Sequence, residues 1–269
     1  MPISDRLRQG LRALRLSTLL QELERLDGDP GSKRRGLIET LEHLVVHELE
    51  TRRLRAIEKR INEAGFPYLV RLEDYDFSRM PSLDRKFITE LHGCEWVPRG
   101  DNIVISGAHG LGKTHLGISM GIEACERGHR TVFKKAEQLV LELLEARDES
   151  RVIALRRKLQ RADLLVVDEL GYTPFSRDGG ELLHSVICDR YDAKRSIIVT
   201  TNLEFSRWVE TFKSKEMTVA LLDRLTHRCD VIVMTGKSKR HEESVERQRK
   251  RQGKKSPKPE REPEPEPEE

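Results

Sequence analysis

The sequence predicts an α/β protein, with a parallel five-stranded sheet, helices on both faces and a small all-α domain before it. Segments of helical spacing alternate with short apolar segments, and such alternation builds parallel sheets. In residues 4 to about 64 the apolar residues keep roughly helical spacing. We expect strands near residues 102–106, 131–134, 163–168, 196–201 and 230–234. Between them we expect helices near 113–127, 136–147, 151–161, 179–193, 206–212 and 219–227.

Residues 1–65 form the predicted helical N-terminal domain. The residues D-P-G-S at 29–32 interrupt its helical pattern, and a long helix follows. The apolar stripe of that helix comprises Leu37, Leu41, Leu44, Val45 and Leu49. The residues A-G-F-P at 64–67 predict where it ends. Its basic stretch, residues 52–60, either contacts a phosphate backbone or is a solvated helix face.

Residues 66–100 are expected to connect this domain to the sheet domain, residues 101–240. The connector contains several aromatic residues, and Phe77 lies just upstream of the sheet. An aromatic side chain there either covers an adenine or packs in the core. Core packing is the more common role.

A glycine-rich segment follows the first predicted strand and opens a helix. It reads G-x-x-x-x-G-K-T, and in this context the pattern binds the phosphates of a nucleotide. Glycines let successive backbone N–H groups point inward, and the start of the helix adds its positive dipole end. Lys113 supplies charge to the β- and γ-phosphates, and Thr114 supplies a hydroxyl to Mg²⁺. The candidate nucleotide-binding residues are Gly107, Ala108, His109, Gly110, Leu111, Gly112, Lys113, Thr114 and His115.

Two carboxylates end the third predicted strand, which is apolar throughout and therefore buried on both faces. Ligands bind at the carboxyl ends of strands in open α/β sheets. Asp168 suits Mg²⁺, and Glu169 suits the base that activates the attacking water. Together with the phosphate loop they predict a site that hydrolyses a nucleoside triphosphate.

Asn202 follows the fourth predicted strand. Its amide is placed to reach the γ-phosphate or the attacking water. The alternative is a turn or helix-cap residue before Leu203.

Composition bounds the class of protein. Charged residues make up 35% of the 269 residues, and no segment approaches the length of a membrane span. The four cysteines are scattered without a C-x-x-C pair, as in reduced cytoplasmic proteins. His43 and His47 have the spacing of a metal pair, but no third ligand accompanies them. We therefore expect a cytoplasmic protein without a membrane partner.

The formal net charge is only +3, but the C-terminal residues are strongly segregated by sign. Residues 236–258 contain ten Lys or Arg against three Glu, and residues 259–269 contain six Glu against one Arg. The basic block either lies along nucleic-acid phosphates or has no specific partner. The Pro-Glu repeat cannot build a packed core, so residues 241–269 are expected to be disordered.

Several segments together resemble the IstB and DnaC branch of the AAA+ ATPases. They are the phosphate loop with H-L after it, D-E-L-G-Y at 168–172, T-N at 201–202 and L-L-D-R-L at 221–225. The segments L-E-D-Y-D-F at 72–77 and R-G-D-N at 99–102 resemble IstB specifically. The resemblance covers about residues 5–240.

The resemblance implies an AAA+ P-loop ATPase that assembles into a ring or helix on duplex DNA and stimulates a transposase. Lys113, Thr114, Asp168, Glu169 and Asn202 match family positions. Arg224 matches the arginine that reaches the γ-phosphate of a neighbouring subunit. The implied DNA contacts are Lys134, Lys135, Arg156, Arg157 and Lys158, in addition to Arg52 and Arg53 of the basic stretch.

Three rival functions use the same phosphate loop. A helicase loader of the DnaC type shares the whole ATP site and differs in its partner. A small-molecule kinase would need an acceptor pocket, and a DNA-architectural protein would use nucleotide only as a switch. Within the loop, His109 and Leu111 replace residues that are usually smaller or hydroxylated, at positions where phosphate binding requires no particular side chain.

Overall fold

Five parallel strands form one sheet in the order β2-β3-β4-β1-β5. This is a computed structural model that describes residues 3–27, 36–81 and 83–236. The strands are β1 (Asn102–Gly107), β2 (Thr131–Lys135), β3 (Leu164–Leu170), β4 (Ser196–Thr201) and β5 (Cys229–Met234). All five lie where the apolar segments predict them.

Ten α-helices accompany the strands in the described part of the chain. Four precede the sheet: α1 (Asp5–Ala13), α2 (Ser17–Asp27), α3 (Leu37–Ala64) and α4 (Arg85–His92). The others are α5 (Lys113–Glu126), α6 (Ala136–Asp148), α7 (Val152–Arg161), α8 (Arg177–Asp192), α9 (Trp208–Phe212) and α10 (Lys215–Thr226). The predicted fold class is therefore confirmed.

Two hydrophobic layers enclose the sheet, because alternate residues of each central strand enter opposite layers. In β1, Ile103 and Ile105 pack in one layer and Val104 packs in the other, all fully buried. The first layer contains α5 and α4, and the second contains α6, α8 and α10. A continuous apolar run is thus what a strand covered on both faces requires.

Residues 66–100 belong to the first layer. Tyr75, Met80 and Trp96 are buried there with apolar residues of α5. The Trp96 indole Nε1 donates to the carbonyl of Leu91 at 2.7 Å, so its polar atom is satisfied. The segment is thereby fixed against the sheet domain and passes beside the start of α5.

The long helix α3 joins the N-terminal helices to the sheet domain. Near its start, Leu44 and Glu48 are buried against α2, and Glu48 accepts from the backbone N–H of Leu19 at 2.7 Å. Near its end, the Arg60 guanidinium donates to the carbonyl of Cys125 at the end of α5 at 2.8 Å. The apolar stripe of α3 is largely exposed; only Leu44 of its members is buried.

That exposure has a simple geometric cause. Only one side of α3 meets α2, and this side carries Leu44 and Glu48 rather than the whole stripe. Leu37, Leu41, Val45 and Leu49 therefore remain 47–75% exposed.

Among the described residues, no helix has the length and apolar character needed to cross a membrane. The predicted break at 29–32 and the predicted charged tail, 241–269, lie outside the described residues. The proposed boundaries at 65, 100 and 240 remain predictions.

Candidate nucleotide-binding site

The glycine-rich loop runs from the carboxyl end of β1 to the first turn of α5, as predicted. Gly110 and Gly112 adopt φ angles of +77° and +91°, which side-chain-bearing residues rarely adopt. Helix α5 begins at Lys113 and continues for 14 residues, so its positive dipole end faces the loop. The Lys113 ammonium donates to the carbonyl of Ala108 at 2.7 Å and so lies across the loop.

Tyr75 of the connector supports this loop from outside. Its hydroxyl donates to the carbonyl of Leu111 at 3.1 Å, and burial raises the pKa of Tyr75 to about 12, so the donor stays protonated. A Cβ at Gly112 would lie 2.8 Å from the Tyr75 ring. Gly112 is therefore required by its backbone angle and by its neighbour. Sequence reasoning did not identify Tyr75, because only the fold brings residue 75 to residue 112.

Asp168 and Thr114 lie together, as the two motifs predict. The Thr114 hydroxyl donates to Asp168 Oδ1 at 2.9 Å, and the Thr200 hydroxyl donates to the same oxygen at 2.6 Å. Asp168 is 1% exposed, and burial raises the pKa of its carboxyl above the ordinary value, against the lowering effect of both hydroxyls. Thr200 was not predicted, although a hydroxyl inside an apolar strand beside β3 is a usable signal.

The donor set at Asp168 fits a magnesium ion. Its second oxygen, Oδ2, is buried and has no hydrogen-bond partner among the described residues. A buried, unpaired carboxylate oxygen beside the Thr114 hydroxyl provides the oxygen ligands that Mg²⁺ prefers. Thr114 and Asp168 are accordingly the residues that would hold the ion.

The backbone at Glu169 departs from the extended conformation of β3, next to the cluster of Thr114, Asp168 and Thr200. Its φ angle is +59°, and its N–H donates to the Thr200 hydroxyl at 2.9 Å, which coincides with an irregular register between β3 and β4. Its carboxylate pairs with the Lys135 ammonium at 2.9 Å, and that hydrogen bond raises the pKa of Lys135. The catalytic candidate Glu169 is thus half-exposed at the carboxyl end of β3, with the Lys135 ammonium from the end of β2 beside it.

Asn202 reaches the phosphate loop from the end of β4. Its amide Nδ2 lies 2.9 Å from Nε2 of His109, and the His109 ring packs edge-on against Tyr172. Asn202 therefore does contact the loop, through a residue whose side chain had been assigned no role.

A cavity of about 280 Å³ joins these groups into one site. The loop from His109 to His115 forms one wall, and Glu169, Thr200 and Asn202 form a second. The connector supplies a third wall, comprising Tyr68, Asp74, Tyr75, Asp76 and Met80. Phe77 is not part of the cavity wall but packs edge-on behind Tyr75, with ring centroids 5.0 Å apart. Tyr75 thus occupies the aromatic position that had been considered for Phe77.

Arg224 lies elsewhere on the molecule. It faces a second cavity with Asn102, Tyr191 and His227, beside the beginning of β1 rather than its carboxyl end. Its guanidinium donates to the carbonyl of Ala220 within α10 at 3.0 Å. Arg224 is therefore absent from the nucleotide site of its own chain.

Most of the candidate DNA-contacting cations have carboxylate partners. Lys134 pairs with Glu142 at 2.6 Å, Lys135 with Glu169, and Arg52 with Glu48 at 2.6 Å. The Arg156 guanidinium binds both oxygens of Asp189 at 2.7 Å. Arg53, Arg157 and Lys158 are exposed, and the last two line a surface groove with Arg60, Arg130 and Arg161. These DNA contacts remain predictions.

Of the two histidines of α3, His43 has a local contact in the described structure. His43 Nε2 lies 3.2 Å from Glu22 Oε1, and Arg25 binds the same carboxylate. The Arg25 hydrogen bond is the main reason that the pKa of Glu22 falls to about 2. Within residues 3–27, 36–81 and 83–236 no cluster of three or more metal-binding side chains occurs.

Comparison with known proteins gives a consistent result. A profile of the IstB-like ATP binding proteins matches residues 9–247. An insertion sequence IS21 ATP-binding protein of Pseudomonas aeruginosa is 34% identical over 233 residues, which cover 87% of this chain and 88% of that protein. An insertion sequence IS232 ATP-binding protein of Bacillus thuringiensis is 30% identical over 244 residues, 91% of this chain and 97% of that protein.

Solved structures agree on the fold. The DnaC helicase loader superposes with a TM-score of 0.51 at 22% identity, over 66% of this chain and 99% of that chain. The replication initiator DnaA bound to AMPPCP and single-stranded DNA gives a TM-score of 0.53 at 18% identity, over 67% and 54% of the two chains. At such identities the likeness is one of fold alone.

Proposed function

This chain belongs to the family of IstB-like ATP binding proteins, and from that premise we propose that it is a DNA-dependent ATPase that assists transposition. In this proposal it assembles on duplex DNA, hydrolyses ATP and recruits and stimulates the transposase of its insertion sequence. The observation that carries the ATPase activity is the proximity of the phosphate loop and Glu169 around one cavity, with the Thr114 hydroxyl of that loop bonded to Asp168.

The binding half of the reaction belongs to the loop and β3. Backbone N–H groups at the start of α5 and the Lys113 ammonium stabilise the negative charge of a triphosphate. Thr114 and Asp168 would hold Mg²⁺, and the ion would supply positive charge to the phosphate groups. Burial of Asp168 favours this role, because a bound cation supplies the partner that its second oxygen lacks.

The hydrolytic half belongs to the ends of β3 and β4. Glu169 accepts a proton from the attacking water, and Asn202 orients the water or the γ-phosphate. Glu169 is paired with Lys135 through Oε2 in the described structure, and a carboxylate has further acceptor sites at which it can accept from the water.

Arg224 completes the site from another subunit. Its position beside the beginning of β1 excludes it from its own site but leaves it available to a neighbour. An arginine that reaches the transferring phosphoryl group contributes ~10³-fold or more in rate. Hydrolysis then depends on self-assembly.

The insertion-sequence relatives support DNA and a transposase as partners, in preference to the hexameric helicase that a loader would bind. The contacts to duplex DNA in this proposal are with phosphates and carry little sequence preference. A cytoplasmic location accords with these partners.

The decisive experiment measures ATP turnover with and without duplex DNA. We expect DNA to stimulate turnover, and the stimulation to weaken as salt rises. Glu169→Gln should bind ATP with unchanged affinity but lose roughly 10²-fold or more in turnover, because the general base is lost. Turnover that does not respond to DNA would refute the proposal, and normal turnover by Glu169→Gln would remove Glu169 from the mechanism. Binding to a hexameric helicase instead of the transposase would point to a loader.

A further inference from the structure

The side chain of His109 makes a specific contact with Asn202. The distance between Asn202 Nδ2 and His109 Nε2 is 2.9 Å, although the two residues are 93 positions apart in the chain. An amide nitrogen carries hydrogens and cannot accept, so Nε2 of the ring is the acceptor. The neutral ring therefore has its proton on Nδ1.

The His109 ring has a second support. The Tyr172 ring meets it edge-on, with centroids 5.7 Å apart and planes at 85°. Tyr172 follows β3 and Asn202 follows β4, so residues after two neighbouring strands hold one imidazole of the phosphate loop. All three residues line the nucleotide cavity.

We propose that His109 is a positioning residue for Asn202 in ATP hydrolysis. Its Nε2 accepts a hydrogen bond from one N–H of the Asn202 amide and so prevents the amide from rotating. The second N–H and the carbonyl oxygen of Asn202 therefore keep fixed directions. Fixed dipoles stabilise a transition state without reorganisation during the reaction, and their orientation is therefore part of catalysis. This inference rests on the proposed ATPase function and adds a residue to it.

The contact exists only for the neutral ring. In a protonated imidazole both nitrogens donate, so His109 Nε2 no longer accepts from Asn202 Nδ2. The Asn202 amide must then rotate by about 180° to present its oxygen as the acceptor.

The kinetic test is a double-mutant cycle. His109→Ala should lower kcat about tenfold, less than the ~10²-fold that loss of a direct transition-state donor costs, with KM for ATP unchanged. Asn202→Ala should lower kcat at least as much, and the double variant should be no worse than Asn202→Ala alone. The matched control is His115→Ala, whose effect should multiply with that of Asn202→Ala, because His115 contacts the carbonyl of Arg71 instead.

His109→Gln separates hydrogen bonding from charge. The glutamine oxygen accepts a hydrogen bond but does not titrate, so this variant should recover most of the lost kcat.

A second readout needs no turnover. In the free protein with ¹⁵N-labelled histidine, NMR should assign the Nδ1–H tautomer to His109, and Asn202→Ala should shift its Nε2 signal. Multiplicative effects of His109→Ala and Asn202→Ala, or an unmoved Nε2 signal, would overturn the inference while the ATPase function stands. Absence of ATP turnover in the parent protein would instead overturn the proposed function, and this inference with it.

Discussion

At the scale of single residues, the site is shaped by one buried carboxylate. Asp168 accepts two hydroxyl hydrogen bonds with one oxygen and leaves the other buried without a partner. Burial raises the pKa of this group, so its ionisation costs the folded protein more than it costs the unfolded chain. The residue is arranged for a cation rather than for the stability of the free protein.

Replacing Asp168 should therefore raise the stability of the free protein and abolish its ATP turnover. Asp168→Asn removes the buried charge, so at pH 7.5 without nucleotide its Tm should exceed that of the parent by a few degrees, since about 1 kcal/mol corresponds to ~2–4 °C in a protein of this size. ATP turnover in the presence of magnesium should be lost.

The sign of the pH dependence is fixed by the raised pKa. The penalty is present above the folded pKa of Asp168 and disappears below its ordinary value of 3.8, where both states are protonated. The difference in Tm should accordingly shrink as the pH falls towards 4. A Tm below that of the parent at pH 7.5 would contradict this account of the carboxylate.

At the scale of elements, the phosphate loop depends on a segment outside the recognised motif. Tyr75 donates to the loop carbonyl of Leu111 and fills the space beside Gly112. The motif G-x-x-x-x-G-K-T predicts the loop, and the apolar segments predict all five strands. The sequence pattern does not contain Tyr75, Thr200 or the Lys135–Glu169 pair, because each is a contact between residues distant in the chain.

Two glycines with similar backbone angles allow the effect of backbone strain to be measured apart from the effect of a steric contact. Gly112 and Gly128 have φ angles of +91° and +100°, but no atom lies within 4 Å of a Cβ at Gly128. Gly128→Ala should lower the free energy of unfolding by about 1–2 kcal/mol through backbone strain alone and leave ATP affinity unchanged.

Gly112→Ala should cost more, because the added methyl also meets the Tyr75 ring. We expect a greater loss of stability and an ATP affinity reduced about tenfold or more, since the N–H groups that bind phosphate are displaced. Calorimetric titration with ATP and thermal unfolding of both variants provide the measurements. Equal losses for the two variants would argue against a role for Tyr75.

At the scale of the whole molecule, the residues of the proposed mechanism lie at opposite ends of the strands. The nucleotide cavity surrounds the carboxyl ends of β1, β3 and β4, and Arg224 faces a cavity beside the beginning of β1. The strand order and the distance between these two cavities follow from long-range packing. The periodicity of apolar residues in the sequence alone therefore could not predict them. The family resemblance, not the spacing of residues, assigned Arg224 to a neighbour.

Mixed oligomers test that assignment directly. Arg224→Ala keeps an intact nucleotide site but lacks the donated arginine, and Lys113→Ala keeps Arg224 but cannot hold ATP. Each variant alone should be ~10³-fold slower than the parent, and a mixture of the two should recover part of the activity. Light scattering with ATP and DNA checks that both variants still assemble. A mixture no more active than its components would refute catalysis across the interface.

The 28 residues of α3 form one unbroken helix from α2 to the far end of α5. At 1.5 Å per residue it is about 42 Å long. Its C-terminal end is joined to the far end of α5 through the Arg60 contact, and its N-terminal half contacts α2 through Glu48. Given that length, a tilt of about 5° at the α5 end would move the opposite end of the helix by almost 4 Å. A rotation of a few degrees at one end of α3 would thus displace the other end by about the size of a side chain.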